Sequence, residues 1–179
     1  MGIKERHERE RGATRKAILG AARDLFISEG YRNVSMRKVA ERIEYSPTAI
    51  YLHFQDKRDL VFQICEETFV RLVDDLSSLE HDYPRPLDRL REGLRRYVAF
   101  GLSHPQHYLA TFVAVPREQL PEDVARYAGP ASNGMRALGI LHATVQACSR
   151  ARVIRAVDAE ATTRALWAAI HGVTALLIQ

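Results

Sequence analysis

Two short helical patterns follow one another within residues 34–54, and this pair limits the possible folds more than any other feature of the chain. Ser35 precedes the first pattern and Ser46 the second, and a serine hydroxyl satisfies a free amide at a helix start. Pro47 suits the first helical position, because its missing N–H would have no partner there. The apolar face of the first helix is formed by Met36, Val39, Ala40 and Ile43. Since only Glu44 and Tyr45 separate the two helices, the pattern predicts a helix-turn-helix.

The second of these helices has one apolar face and one hydrogen-bonding face. Ile50 and Phe54 are one helical turn apart and are predicted to face the core. Thr48, Tyr51 and His53 then point elsewhere, and all three side chains form hydrogen bonds. A helix of this kind reads base edges by laying its N-terminal part in the major groove of DNA. We therefore expect it to be a DNA-recognition helix.

The positive charge is concentrated in the same part of the chain. Residues 1–60 hold 13 Lys and Arg against 9 Asp and Glu, whereas residues 61–179 hold 13 of each. The whole net charge of +4 therefore lies in the first third, which suits a chain whose N-terminal end approaches a polyanion. Arg37, and the start of the next helix with Lys57, are placed to contact phosphates, since helix N-termini also attract them.

Helical periodicity also accounts for the rest of the chain, and no sustained alternation typical of strands is found. Apolar residues from Ile18 to Phe26 form one helix face, and Gly30 ends that helix. Further helices are predicted over residues 56–79, 87–101, 131–151 and 159–179, with breaks at 83–86 and 104–105 and a loop at 116–121. We expect an all-α fold with a three-helix helix-turn-helix domain over residues 1–55 and a second helical domain over residues 56–179.

The segment from Thr14 to Leu60 resembles the N-terminal domain of the TetR (tetracycline repressor) family almost position for position. The similar stretches are AARDLFISEGY, SMRKVAERI, SPTAIYLHF and DKRDL. The resemblance implies that Tyr51 and His53 contact DNA and that Lys57 contacts a phosphate. Many members differ from this chain around residues 48–50, so the base preference of a relative cannot be carried over. The expected DNA-binding residues are Ser35, Arg37, Ser46, Pro47, Thr48, Tyr51, His53 and Lys57.

Two interpretations of residues 1–13 stay open. Their charges alternate in sign through Lys4, Glu5, Arg6, Glu8, Arg9, Glu10 and Arg11. The segment could be an arm that touches the minor groove of DNA. The other interpretation is a solvated or disordered segment, which alternating charges indicate more often. We favour the solvated or disordered interpretation.

The second domain resembles the TetR C-terminal domain more loosely. The segment YVAFGLSHPQHYLATF and the Trp167…His171-Gly172 pairing are similar to a subgroup that shares a Trp-His-Gly (WHG) signature. This resemblance implies a small-molecule effector site and dimerisation. Ligand pockets combine aromatic side chains with a few polar groups. The candidate pocket residues, each of which also suits a plain core, are Tyr97, Phe100, Tyr108, Phe112, Met135, His142 and Trp167.

The last helix has a composition suited to pairing with a second copy of the chain, although burial within one subunit is the alternative. Small residues let two helices approach closely while bulky ones interlock, as in a four-helix interface. A homodimer is favoured because one recognition helix reads few base pairs, whereas two read half-sites about 34–36 Å apart on operator DNA. The expected interface residues are Ala161, Ala165, Leu166, Ala169, Gly172, Val173 and Leu176.

The sequence gives little support for a catalytic site, a metal site or a membrane segment. No Ser-His-Asp or Cys-His grouping, Gly-rich phosphate loop or HExxH motif is present, so neither an enzyme nor a cofactor is predicted. His104 and His107 have a spacing compatible with a metal, but no acidic or Cys residue close by in sequence completes a ligand set, and no metal site is predicted. The polar residues 3–16 argue against a secretory signal, and the apolar run 165–178 is short for a membrane span. A cytoplasmic protein without a membrane partner is expected.

The leading functional hypothesis is a repressor that an effector releases from DNA. An effector that prefers a different separation of the two recognition helices lowers DNA affinity by linkage, typically by about 1–3 kcal/mol. The helix over residues 56–79 spans both predicted domains and is expected to transmit the change as a rigid lever. The alternative hypothesis is a DNA-binding regulator or activator that needs no effector and has a filled C-terminal core.

Overall fold

The computed structural model describes residues 2–112 and 132–178, and every regular element in these ranges is a helix. The predicted all-α fold is therefore confirmed. The loop predicted at residues 116–121 lies outside the described residues. In chain order the helices are α1 (Ile3–Glu29), α2 (Met36–Arg42), α3 (Pro47–Tyr51), α4 (Lys57–Ser77), α5 (Leu79–Asp82), α6 (Pro86–Ser103), α7 (Pro105–Phe112), α8 (Asn133–Arg150) and α9 (Ala159–Ile178), with a 3-10 turn at Tyr31–Asn33.

Local hydrogen bonds set the ends of the first helices. Gly30 ends α1 with φ 77° and ψ 154°, a backbone conformation that is open almost only to glycine. The Ser35 hydroxyl accepts a hydrogen bond from the Lys38 amide at 3.2 Å, and the Ser46 hydroxyl accepts one from the Ala49 amide at 3.2 Å. Each serine thereby satisfies an amide in the first turn of its helix. The two predicted caps are confirmed.

Aspartates begin two of the longer helices in the same way. Asp56 Oδ1 accepts from the Asp59 amide at 2.8 Å at the start of α4. Asp158 Oδ1 accepts from the Ala161 amide at 3.1 Å at the start of α9. A carboxylate at this position also interacts favourably with the positive end of the helix dipole. These starts agree with the sequence analysis.

Two helix ends differ from the prediction. The helix expected to run to residue 79 ends at Ser77, and the chain continues into the short α5. Arg96 of α6 donates to the Asp75 carbonyl at 2.6 Å and to the Ser78 hydroxyl at 3.0 Å, so a side chain provides a partner for a carbonyl in the last turn of α4. α3 is also shorter than predicted and ends at Tyr51 rather than near residue 54.

The N-terminal segment is a solvated helix, which agrees with the solvated interpretation of its alternating charges and not with a disordered one. α1 begins at Ile3, and residues 4–13 are all exposed, so the segment is solvated as expected but folded. The Gly2 amide donates to Glu5 Oε2 at 3.1 Å, and Arg6 Nε lies 3.1 Å from Glu10 Oε1. A capped start and ion pairs one turn apart favour the helix in this charged sequence.

The described chain forms two compact units. The first combines residues 2–65 with residues 106–112, and the second combines residues 66–105 with residues 132–178. The division at Cys65 lies within α4, whereas the predicted domain boundary lies before that helix, after residue 55. α4 therefore contributes its first part to one unit and its remainder to the other.

The first unit has a core of apolar side chains from α1, α2, α3 and the beginning of α4, with one residue from α7. Ile18, Val39 and Ile50 have no exposed surface at all. Full burial of such a side chain contributes roughly 1.5–3 kcal/mol to folding. The core consists of Ile18, Leu19, Ala21, Ala22, Leu25, Phe26, Val34, Met36, Val39, Ala40, Ile50, Phe54, Leu60, Val61, Ile64 and Ala110.

The second unit is built around α6, α8 and α9, which pack against one another. The buried face of α9 carries two threonines. The Thr163 hydroxyl donates to the Ala159 carbonyl at 2.6 Å, and the Thr174 hydroxyl donates to the Ile170 carbonyl at 2.7 Å. Each hydroxyl is satisfied within its own helix, so its burial requires no polar group from a neighbouring helix.

The part of α4 in the second unit is fixed to the start of α8. The Asn133 amide donates to Glu66 Oε1 at 3.1 Å, and the Asn133 side chain donates to Glu66 Oε2 at 2.6 Å. A methyl group at Gly134 would lie 3.2 Å from the Phe69 ring, which shows how closely the two helices approach. This contact joins α4 to α8 through a carboxylate at a helix N-terminus.

Candidate functional site

α3 and the three residues after it divide their side chains between the core and the surface as predicted. Ile50 and Phe54 are buried, with 0% and 1% of their surface exposed. Tyr51 is 56% exposed, Thr48 is exposed and His53 is half-buried. The core contacts hold the short helix in place, while its hydroxyl groups remain accessible to a partner.

The remaining residues of the predicted set from α2 and the turn lie on the surface. Ser35, Arg37, Ser46 and Pro47 are all exposed. Arg37 Nε donates to Glu41 Oε1 at 2.9 Å. An exposed ion pair of this kind contributes at most about 1 kcal/mol, so the guanidinium can exchange its carboxylate partner for a phosphate at little cost.

Lys57 has a role in the fold that the sequence analysis did not foresee. Its ammonium group donates to the carbonyls of Tyr31 and Val34, each at 2.9 Å, and lies 4.0 Å from the centroid of the Tyr31 ring. Two of its three donors are therefore used within the protein. Burial lowers the pKa of the Lys57 ammonium. The residue joins the turn after α1 to the start of α4.

Two arginines of α1 surround the end of α3. The Arg15 guanidinium lies 4.9 Å from the centroid of the Phe54 ring and donates to Gln63 Oε1 at 2.6 Å. The pKa of His53 is lowered, first by burial and then by the positive charges of Arg11 and Arg15. Because these charges oppose a further proton, the region around His53 is suited to an anion.

A second polar and aromatic cluster lies between α6 and α9. The Tyr97 hydroxyl and His171 Nδ1 share a hydrogen bond of 3.3 Å, and the rings of Trp167 and His171 stack at 5.3 Å with an interplanar angle of 14°. Burial lowers the pKa of His171. His171 was not among the predicted pocket residues. Its spacing of four residues from Trp167, one helical turn, was the signal that could have identified it.

The other predicted pocket residues have separate contacts within their own units. Phe100 stacks on His104 at 4.9 Å, and His142 forms a 2.9 Å hydrogen bond with Gln146. Met135 is exposed. Tyr108 and Phe112 contact each other at 4.8 Å between ring centroids and belong to the first unit, whereas the other five candidates belong to the second.

α9 presents a wide apolar face to the surface. Most of the predicted interface residues are exposed, among them Val173 at 50% and Leu176 at 76%, while Leu166 and Gly172 are half-buried. The exposed residues lie outside the buried face, on which Thr163 and Thr174 are three turns apart. α9 is long and apolar enough to cross a membrane by length and composition, and only 11% of its most apolar window is buried.

The described ranges contain no group of three or more His, Cys, Asp or Glu residues arranged to bind a metal ion. His104 Nδ1 lies 3.2 Å from the Phe100 carbonyl, and His107 is buried. Cys65 is half-buried and Cys148 is buried, and burial raises the pKa of the Cys148 thiol. A raised pKa disfavours the reactive thiolate, which agrees with a structural role for Cys148.

Comparison with solved structures places the fold among known regulators. The structure of a fatty acid degradation regulator, FadR from Bacillus halodurans, has a TM-score of 0.76 and 16% identity, with 89% of this chain and 81% of that chain covered. AibR in complex with isovaleryl coenzyme A and operator DNA has a TM-score of 0.68 and 21% identity, with 89% and 85% covered. At these levels of sequence identity, the similarities show that this chain shares the fold of those structures.

Comparison of sequences identifies the family. An HTH-type transcriptional regulator of Staphylococcus aureus (strain bovine RF122 / ET3-1) is 26% identical over 90 residues, which are 50% of this chain and 49% of the relative. The chain thus spans about half the length of the curated relatives it matches. Membership of the Trp-His-Gly subgroup stays a prediction. The model for bacterial regulatory proteins of the tetR family matches residues 18–64, and the model for the tetracyclin repressor-like C-terminal domain matches residues 90–179. The chain therefore belongs to the tetR family of bacterial regulatory proteins.

Proposed function

We propose that this protein is a repressor that binds operator DNA as a homodimer and leaves it when a small-molecule effector binds. The observation that carries the proposal is the division of residues 47–54, which are α3 and the three residues after it, into buried and exposed side chains. Ile50 and Phe54 hold the helix in the core, and Tyr51 is exposed beside them. A rigid helix with exposed hydrogen-bonding groups is suited to the major groove, where the base edges differ from one another.

The DNA-binding residues have two kinds of role in this proposal. Thr48 and Tyr51 are exposed on α3 and face the bases or the adjacent backbone. The other predicted residues, Ser35, Arg37, Ser46, Pro47, His53 and Lys57, lie at the helix starts or beside α3 and position the protein on phosphates. Phosphate contacts fix the register of a protein on DNA, and base contacts specify the sequence.

The dimer is proposed to form through α9. Val173 and Leu176 are exposed in the single chain, and a contiguous apolar face of this kind marks a protein or membrane contact. A second copy of the chain covers the face in our proposal, because two recognition helices are needed to read two half-sites. The protein then acts in the cytoplasm, in contact with neither a membrane nor a substrate to be converted.

The effector is proposed to bind in the C-terminal domain, which we place at residues 56–179 after a DNA-binding domain at residues 1–55. The cluster of Tyr97, Trp167 and His171 combines aromatic surface with hydrogen-bonding groups, as a ligand site requires. The AibR structure contains a small ligand and operator DNA together, so the fold accommodates both. α4 belongs to both units and is fixed to α8 through Glu66, so it is the proposed lever between effector and DNA.

A gel-shift titration with the DNA that flanks the protein's own gene tests the DNA-binding part. We expect Tyr51→Phe and Arg37→Ala to weaken binding, and Arg37→Ala to flatten the dependence of affinity on salt by about one unit. Arg91→Ala is the matched control, because Arg91 is also an exposed arginine paired with a carboxylate, Asp88, but lies on α6. Equal binding by all variants would remove α2 and α3 from the interface.

A thermal-shift screen of small molecules tests the effector. A ligand that binds the native state raises its apparent stability according to its affinity and concentration. We expect a stabilising ligand to lose its effect in Trp167→Ala and to release DNA from the wild-type protein. A ligand that stabilises the protein without changing DNA affinity would instead support the effector-independent regulator.

A further inference from the structure

The N-terminal part of α1 extends well beyond the core of its unit. The first core residue of the helix is Ile18, and the family match also begins at residue 18. Residues 4–13 precede it in the same continuous helix and are all exposed. The DNA-binding residues proposed above do not include this extension.

One face of the extension is basic and continues the apolar face of the core. A helix repeats its directions every three or four residues, so side chains at those intervals lie on one side. Counting back at these intervals from Ile18 gives the four residues that we call the basic stripe: Lys4, His7, Arg11 and Arg15. The same helix face is therefore apolar where it meets the core and cationic where it has left the core.

Contacts of Arg15 show which way the basic stripe faces. Its guanidinium lies over the Phe54 ring at 4.9 Å and donates to Gln63 at 2.6 Å, so this side of α1 faces the end of α3 and the first turns of α4. The next residue of the stripe, Arg11, is close enough to His53 to act on it electrostatically together with Arg15. The stripe thus begins beside the candidate recognition helix and leads away from it.

Two of the three carboxylates of the extension have partners, and one of them, Glu10, lies beside His7 of the stripe. Glu5 accepts from the Gly2 amide at 3.1 Å, and Glu10 pairs with Arg6 at 3.1 Å and lies 3.6 Å from His7. Glu8 lies at the edge of the stripe by its helical position and is the carboxylate that opposes an anion there. Within the described part of the chain, neither Lys4 nor Arg11 has a carboxylate at ion-pair distance.

We propose that the basic stripe binds phosphates of the same DNA duplex that α3 reads, outside the bases that α3 contacts. The proposal rests on the proposed DNA-binding function and adds a second, sequence-independent contact to it. Lys4 and Arg15 are about 16 Å apart along the helix at 1.5 Å per residue. A duplex carries one negative charge for about every 1.7 Å of its axis, so the stripe faces several phosphates.

The test compares two double variants that remove equal charge from opposite faces of the same helix. Lys4→Ala/Arg11→Ala removes two cations from the stripe, and Arg6→Ala/Arg9→Ala removes two from the outer face. Alanine has a high helix propensity, so both double variants should retain the helix. Circular dichroism of each variant checks its helix content. We expect the stripe variant to lose about tenfold or more in DNA affinity at 0.1 M salt and to flatten the salt dependence by about two units, whereas the outer-face variant stays close to wild type.

Two further measurements make the result specific. The loss should be equal on operator and on unrelated DNA, since phosphate contacts carry no sequence information. It should disappear on a duplex trimmed to the bases that α3 covers. An equal loss in both double variants would mean that net charge alone acts, and no loss in either would mean that the stripe does not touch DNA; each result overturns the proposal. Failure of the wild-type protein to bind any duplex would instead overturn the proposed function, and this inference with it.

Discussion

The two units differ in how completely they bury their own apolar surface. In the first unit, α1 to α4 enclose a core in which the largest side chains, such as Phe26 and Phe54, are almost fully buried. In the second unit, α9 buries Thr163 and Thr174 but leaves Leu176 and Leu177 exposed at 76% and 59%. Leu176 and Leu177 thus lie on a side of the last helix that residues 2–112 and 132–178 leave exposed.

This difference indicates what each unit needs from a partner. The first unit closes its core by itself and offers polar side chains outward, which suits a partner that binds and leaves. The second unit has an apolar face that only another apolar surface stabilises, which suits a permanent contact. Substitutions in the two units should therefore have different consequences: loss of assembly in the second unit and loss of folding stability in the first.

The largest effect is expected at the exposed face of α9. Val173→Glu/Leu176→Glu places carboxylates in the proposed interface, and burying unpaired charges costs several kcal/mol for each site. We expect the dimer to dissociate to folded monomers at micromolar concentration, measured by sedimentation equilibrium. Arg164→Glu changes the net charge equally on another face of α9 and should leave the dimer intact. A dimer that survives the double substitution would refute the role of this face.

A smaller effect, confined to the first unit, is expected from Phe54→Ala. Removal of a buried phenylalanine costs about 3–5 kcal/mol. The single tryptophan of the chain, Trp167, lies in the second unit and reports on that unit separately. We expect the urea unfolding transition monitored by circular dichroism to begin at a lower urea concentration. The transition monitored by tryptophan fluorescence should change little. Tyr51→Ala, at the exposed neighbour on α3, should change stability by less than about 0.5 kcal/mol. Coincident shifts by both probes would show that the units unfold together.

Two glycines of the first unit should respond in opposite directions. Gly30 has φ 77° and ψ 154°, so Gly30→Ala is expected to cost about 1–3 kcal/mol. Gly20 lies inside α1 with open space where the methyl group of an alanine would lie, and Gly20→Ala should stabilise the unit by about 0.5–1 kcal/mol. Thermal unfolding measures both. A stabilising Gly30→Ala would contradict the backbone conformation at the end of α1.

The smallest effect concerns the pH dependence of the second unit. Burial holds the pKa of His171 below its ordinary value of 6.5, so the unfolded chain takes up the proton first as the pH falls. The stability that neutral His171 contributes is therefore complete above about pH 6.5 and declines as the pH falls through the lower folded pKa. We expect the Tm advantage of wild type over His171→Gln to shrink between about pH 7 and pH 5. Tyr97→Phe should show the same decrease in stability at low pH, because burial lowers the pKa of His171. If the decrease were absent in this variant, the hydrogen bond from Tyr97 would be the cause instead.

Features that depend on neighbours in sequence were predictable. Ser35 and Ser46 cap helices through amides three residues ahead, so the residue type and its spacing identify them. The inward faces of α1, α2 and α3 follow from the same logic, because periodicity alone determines which residues share a side. The helix-turn-helix and its exposed residues could therefore be recognised without coordinates.

Features that depend on distant residues were not predictable. The partners of Lys57 precede it by 26 and 23 residues, and Tyr97 meets His171 across 74 residues. Near the end of α4, the Asp75 carbonyl accepts from Arg96, which lies 21 residues further along the chain. Helical spacing likewise could not show that Tyr108 and Phe112 join the first unit.

The position of Lys57 has a consequence for how related sequences are interpreted. Its ammonium group is tied to two carbonyls of the preceding turn, so a lysine is useful at this position for folding alone. A homologue that no longer bound DNA would still need a hydrogen-bond donor at this position to satisfy the two carbonyls. A lysine at this position in a homologue therefore indicates that the turn is conserved, and it does not by itself indicate DNA binding. Substitutions at exposed positions such as Tyr51 are the ones that would indicate a changed or lost DNA target.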